Sequence, residues 1–88
     1  MSVMQLLGWA CVAIAAIFAL QMFEADRRLQ AFRSAGVPAR RYAAVPTRWQ
    51  RDIYLPDGAP LVDAAWRNFR RMVGAGLFAV LLFALAAP

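Results

Sequence analysis

Histidine and lysine do not occur in this chain of 88 residues, and cysteine occurs once. The missing histidine removes the usual axial ligand of a b-type haem or a chlorophyll magnesium, the commonest metal ligand and the commonest general base. Cys11 has no partner, so no intrachain disulfide can form and no metal site can be built around it. Within an apolar run it reads as a small apolar residue. Charge is missing from both ends: neither residues 1–23 nor residues 72–88 contain Asp, Glu, Lys or Arg. Neither run therefore carries the ionisable group that proton relays and ion carriers place at membrane depth. No serine-centred nucleophile motif and no phosphate-cradling glycine loop is present. The chain is not expected to be an enzyme, nor to hold a catalytic residue, a metal or a cofactor of its own.

What is present is apolar. Hydrophobic residues make up 62% of the chain, more than a domain this small can hide from water. Residues 1–23 form an uncharged run long enough to cross a hydrocarbon core of roughly 30 Å, and only a helix can do so without stranding backbone groups in lipid. Residues 72–88 form a second run at the short limit for a span, which Arg70 and Arg71 can lengthen by snorkelling. The expected fold class is an all-α membrane protein: two transmembrane helices in a hairpin, with amphipathic cytoplasmic extensions and a Pro-containing loop that carries one short interfacial helix. A cleaved signal is not expected, because the first run lacks a basic leader and exceeds a typical signal core.

Three segments follow. Residues 1–35 hold the first span, at about 3–23, and an amphipathic extension with Met22, Ala25, Leu29 and Phe32 on one face. Glu24 and Arg28 stand at i,i+4 in the favourable order, and Gly36 with Pro38 marks the stop. A helix over 3–35 would be roughly 50 Å long. Residues 36–59 form the loop, with a short helix at about 47–54 opened by a Thr47–Gln50 capping box and closed by the turn Pro56-Asp57-Gly58. Trp49, Tyr54 and Tyr42 are expected either along the membrane surface or against another subunit. Residues 60–88 begin with Pro60 at the first helical position and an amphipathic lead-in in which Asp63 precedes Arg67 by four. The second span follows at about 70–87. The two flanks, 24–35 and 61–71, are expected to pair.

All ten basic residues are Arg, and all lie between residues 24 and 71 with the five acids, so this segment alone carries the net charge of +5. Arg-only usage suits lipid headgroups or a partner's carboxylates; it also fits a GC-rich genome. A basic balance beside two spans points to lipid and orientation rather than nucleic acid. The positive-inside rule places the loop in the cytoplasm and both termini on the periplasmic side of a bacterial inner membrane. Candidate lipid or partner contacts are Arg27, Arg28, Arg40, Arg41, Arg48, Trp49, Arg51, Trp66, Arg67, Arg70 and Arg71. Candidate helix-packing residues are the small ones: Gly8, Cys11, Ala15 and Ala19 in the first span, and Gly74, Ala75, Gly76 and Ala79 in the second. Trp9, Ile14, Phe18, Leu77, Phe78 and Phe83 are left for lipid.

Two uncharged runs around a basic segment resemble, in layout, the small hairpin polypeptides beside reaction-centre and light-harvesting rings. That likeness implies a companion to a pigment-bearing assembly, in contact with lipids or with pigments held by neighbouring subunits. The expected function is a non-catalytic accessory or assembly subunit of a larger bacterial membrane complex, respiratory or photosynthetic first. Its partners would be membrane lipids and larger integral membrane subunits. The layout also resembles the universal stress protein B group, which implies instead a free-standing regulatory or stress-related membrane protein. A holin-like peptide is the third reading.

Overall fold

A computed structural model describes residues 2–87. It is all-helical, with two long helices, α1 (Val3–Leu29) and α2 (Ala59–Ala86), and no strand among the described residues. Both helices are long and apolar enough to cross a membrane, and only 6% of each apolar window is buried inside the chain. They run antiparallel in a body of 55 × 20 × 13 Å.

The first helix starts on a capping box that the sequence reading did not single out. The Ser2 hydroxyl accepts from the Gln5 amide at 3.2 Å, and the Gln5 side chain accepts from the Ser2 amide at 3.0 Å. The helix then ends sooner than the expected residue 35. It stops at Leu29 and tightens into one 3-10 turn over Gln30–Phe32. The returning chain takes over its backbone: Leu55 N–H donates to Phe32 O at 2.7 Å and Ser34 N–H to Ile53 O at 3.1 Å, around an antiparallel bridge from Arg33 to Tyr54. Gly36 does adopt a left-handed conformation, φ +80°, but in the turn beyond that bridge and not as the cap of α1.

The loop is built from turns rather than a helix. Short 3-10 turns occupy Ala39–Tyr42, Thr47–Trp49, Arg51–Ile53 and Pro56–Gly58, with a cis peptide at Val45–Pro46. The expected helix at 47–54 is broken at Gln50, which is extended (φ −111°, ψ 137°). Its capping box does not form. Gln50 Oε1 instead accepts from Arg41 at 2.6 Å, and the Thr47 hydroxyl donates to Ala44 O at 2.8 Å. The Pro56-Asp57-Gly58 turn forms as expected, and Pro60 follows as the second residue of α2.

Along the hairpin the facing residues of α1 alternate three and four apart: Gly8, Cys11, Ala15, Phe18, Met22, Ala25 and Leu29 are each buried or half-buried. On α2 the matching series runs Val62, Ala65, Phe69, Met72, then Ala79 and Phe83. This is the spacing that keeps two helices in contact along a shared seam. The flanks of the two helices pair, as expected, through Ala25, Leu29, Val62 and Ala65.

The two halves of the hairpin differ in what surrounds the seam. From Met22 and Met72 toward the loop, Tyr42, Trp49, Ile53 and Tyr54 close over the helices to make the core of a small head, with Leu29 and Ile53 fully buried. Toward the termini nothing among the described residues covers the helices. Leu20, Leu77 and Val80 stay about two-thirds exposed, and Trp9 and Phe78 are more than half exposed.

Candidate functional site

The head is organised on Asp26, at the point where the polar face of α1 begins. Its carboxylate accepts from Arg48 at both oxygens (Nε 2.8 Å, Nη2 2.7 Å), from Trp49 Nε1 at 2.9 Å and from Gln30 Nε2 at 3.2 Å. A paired guanidinium with two further donors is the arrangement that makes a partly buried carboxylate tolerable. Burial alone would raise its pKa. The hydrogen bonds from Arg48 and Trp49, the Arg48 charge and the Gln30 bond together outweigh that, so Asp26 lies below its ordinary value of 3.8. Arg48 also donates to Tyr42 O, and Tyr54 Oη donates to Arg48 O. The Tyr42 hydroxyl donates to Ile53 O at 2.9 Å, and Trp66 Nε1 donates to Trp49 O at 2.7 Å. Edge-to-face contacts link Trp49 with Trp66 and Phe69, and Tyr42 with Tyr54.

This changes the reading of the aromatic residues. Trp49, Tyr54 and Tyr42 lie neither on an outer surface nor free for another subunit; they are 4%, 4% and 6% exposed inside the chain's own core. The physical reason is the fold-back of the loop, which brings the Trp49 N–H to Asp26 and the ring onto α2. Ile53 shares this core and is fully buried.

The arginines divide into engaged and unengaged groups. Arg27 and Arg28 both bond Glu24, at 3.0 and 3.1 Å, on the exposed side of α1. Arg41 bonds Asp52 at 3.0 Å, Arg48 bonds Asp26, and Arg51 reaches across to Asp63. The expected Asp63–Arg67 pair is thereby replaced: Asp63 bonds Arg51, which with the nearby charges of Arg67 and Arg70 holds its carboxyl below the ordinary value. Arg33 stacks on Tyr42, 4.1 Å from the ring centroid. Among the described residues Arg40, Arg67, Arg70 and Arg71 make no ion pair, and all four are exposed. Arg71 instead lies over the Phe18 ring of α1 at 5.8 Å.

The small residues divide as well. Gly8 is a true close approach: a Cβ there would lie 2.8 Å from the Phe83 ring, which is also held edge-on by Trp9. Cys11, Ala15 and Ala19 line the same side, half-buried, and Ala79 is buried on α2. Gly74 and Gly76 make no close approach within the hairpin, since a Cβ at either meets nothing within 4 Å; Ala75 between them is half-buried. Gly58, read from sequence as a turn residue and not as a packing one, is the other close approach, with Phe32 Cβ 2.9 Å from where its own Cβ would be. Of the residues assigned to lipid, Trp9, Ile14, Leu77 and Phe78 are exposed, while Phe18 and Phe83 are half-buried between the helices.

Two grooves flank the neck. One of about 340 Å³ has an apolar floor of Leu20, Ala25, Leu61 and Ala64 and a rim of Gln21, Glu24 and Arg28, whose charges already neutralise each other. The other, about 290 Å³, lies where Val45 of the loop comes down to Phe23. Comparison with protein families, with curated proteins and with solved structures finds no match.

Proposed function

We propose that the chain is an integral protein of a bacterial inner membrane that serves as a non-catalytic accessory subunit of a larger membrane assembly. In this reading α1 and α2 cross the bilayer as a hairpin, the head lies in the cytoplasm and both termini are periplasmic. The observation that carries it is the continuous apolar surface of both helices, left open over every turn away from the head. A soluble chain with so much exposed apolar surface would aggregate or be covered by a partner. The orientation rests on the arginines, all of which fall on the head side of that surface.

What the head does with its polar groups supports the accessory role. Asp26, Arg48, Arg41, Asp52, Arg51 and Asp63 satisfy one another, and no buried side-chain N or O among the described residues lacks a partner. In this reading such a head serves as a shape for docking. It offers surfaces for docking, while the exposed faces of two helices offer lateral contact to larger subunits. Respiratory and photosynthetic assemblies are the first to examine.

Extraction from native membranes in mild detergent tests this. The chain is expected to co-migrate with larger integral proteins; migration solely as a free small species would remove the accessory role. A tag at the C-terminus is expected to react from the periplasmic side, and labelling only from the cell interior would overturn the orientation.

A further inference from the structure

Arg67, Arg70 and Arg71 stand at i, i+3 and i+4 of α2, which puts them on one side of the helix. All three are exposed and without an ion pair among the described residues. Their height on the hairpin is unusual. Phe18 faces Arg71 across the seam, and α1 stays uncharged for five more residues, to Phe23. At 1.5 Å per residue Arg71 sits roughly 7 Å inside the end of the neighbouring helix's uncharged wall, with Arg70 one residue and Arg67 four residues nearer its rim. That wall is open: Leu20 is 69% and Phe23 62% exposed. At the other end the helices are level, with Gly8 and Trp9 against Phe83. The stagger is therefore confined to the head side. Residues 3–23 rise roughly 30 Å, a full hydrocarbon core, whereas residues 72–86 rise only roughly 21 Å.

We infer that Arg67, Arg70 and Arg71 form a binding site for the phosphate of an anionic lipid headgroup, drawn in beside the exposed Leu20–Phe23 wall of α1. The inference rests on the membrane reading above and adds the chemistry of one partner. Guanidinium groups at this depth need an anion or water, and four of the chain's five acids are already used: Glu24 by Arg27 and Arg28, Asp26 by Arg48, Asp52 by Arg41 and Asp63 by Arg51. The fifth, Asp57, lies in the turn before α2, ten residues ahead of Arg67 on the head side. A lipid phosphate arrives at the right height with its acyl chains directed along apolar helix surface. Bidentate guanidinium–phosphate bonding is available from any phospholipid; an anionic headgroup has no cation of its own to compete for the phosphate, and its net negative charge strengthens binding beside three arginines. The Phe18 ring fixes Arg71 from below by cation–π contact.

The test uses the full chain purified in detergent doped with phosphatidylcholine and phosphatidylglycerol in equal parts, with retained lipid counted by native mass spectrometry. The wild-type chain is expected to retain phosphatidylglycerol selectively, and R67Q/R70Q/R71Q to lose that preference by about fivefold per arginine removed. R70K/R71K keeps the charge and should keep part of the preference. R33Q, which removes a charge roughly 20 Å further along the molecule, should match wild type where R70Q does not. Equal retention of the two lipids by wild type, or an undiminished preference in the triple variant, overturns the inference. Complete displacement by inorganic phosphate also overturns it, because the site would then read free anion and not lipid. The membrane reading is followed separately: a triple variant that resists carbonate extraction yet has lost lipid preference supports both statements. A wild-type chain that carbonate releases from membranes overturns both.

Discussion

Leu29 and Leu20 belong to the same helix and differ in every physical respect that matters for stability. Leu29 is fully buried under Ile53 and the loop aromatics, whereas Leu20 is 69% exposed. The head gains its stability within the chain, from aromatic packing and a satisfied ion pair. The apolar half gains only a thin seam of small residues, and the rest of its surface waits for lipid or protein. One pair of helices thus carries a self-sufficient end and an open end.

Core truncation should break this contrast most strongly. Leu29→Ala removes a fully buried side chain from the centre of the head and is expected to destabilise it by about 3 kcal/mol, from lost transfer energy plus the cavity left behind. Leu20→Ala or Leu77→Ala should leave the head's unfolding midpoint in detergent where it was. Denaturant titration followed by tryptophan fluorescence reads both, since Trp49 and Trp66 lie in the head core. Equal losses at Leu29 and Leu20 would show that the two halves do not differ as described.

Asp26→Ala comes next, at about 2 kcal/mol. Loss of one partner of a deeply buried pair typically costs about 3–5 kcal/mol; here the side chains of Asp26 and Arg48 keep 15% and 27% exposure, and solvent offsets part of that. The same residue sets an acid limit. Its folded pKa is depressed, so the unfolded chain takes up a proton first as pH falls. The contribution is therefore complete above the unfolded value near 3.9 and is lost as pH falls through the lower folded value. Head stability should be flat from neutral pH down to about 5 and fall below that, and Asp26→Ala should flatten the fall. An unchanged acid limb in the variant would assign the effect to another carboxylate. By contrast Arg51→Gln, which breaks a pair exposed on both sides, should shift the midpoint too little to measure.

These sizes bear on what could be read from the chain before folding. The helices were legible because uncharged runs and 3–4 spacing are local signals; so were the Glu24–Arg28 pair and the Pro56-Asp57-Gly58 turn. The Asp26–Arg48 pair was not, because its members are joined only through a loop whose path has no period. Nothing in the spacing of Trp49 distinguishes a ring facing lipid from one donating to Asp26. The failed Thr47–Gln50 capping box makes the same point: the motif is present, but Arg41 competes for Gln50. An identical pattern at Ser2–Gln5 does form, at the start of a helix with no rival partner nearby. Of the candidate arginines, sequence alone could not separate those that hold the head together from Arg67, Arg70 and Arg71.

Smaller effects come from the glycines. Gly58→Ala places a methyl 2.9 Å from Phe32 Cβ, an atom fixed close to its backbone, and overpacking there should cost the head about 1–2 kcal/mol. Gly8→Ala presses on the outer edge of the Phe83 ring, which can turn at the expense of its contact with Trp9. It should cost less, about 1 kcal/mol, and be read as looser pairing of the termini by cross-linking between residues 9 and 83.

The smallest effect is also the sharpest test of the open end. Gly74→Ala and Gly76→Ala add a methyl where nothing lies within 4 Å, so the isolated hairpin should unfold as before, or be slightly stabilised by the better helix former. A glycine that the hairpin does not need can still be needed by a neighbour, because small residues are what let two helices approach closely in lipid. Co-purification from native membranes should therefore weaken in these variants while the detergent midpoint holds. If association and midpoint were both unchanged, this face of α2 would belong to lipid, and lateral contact would have to run through α1 or the head instead.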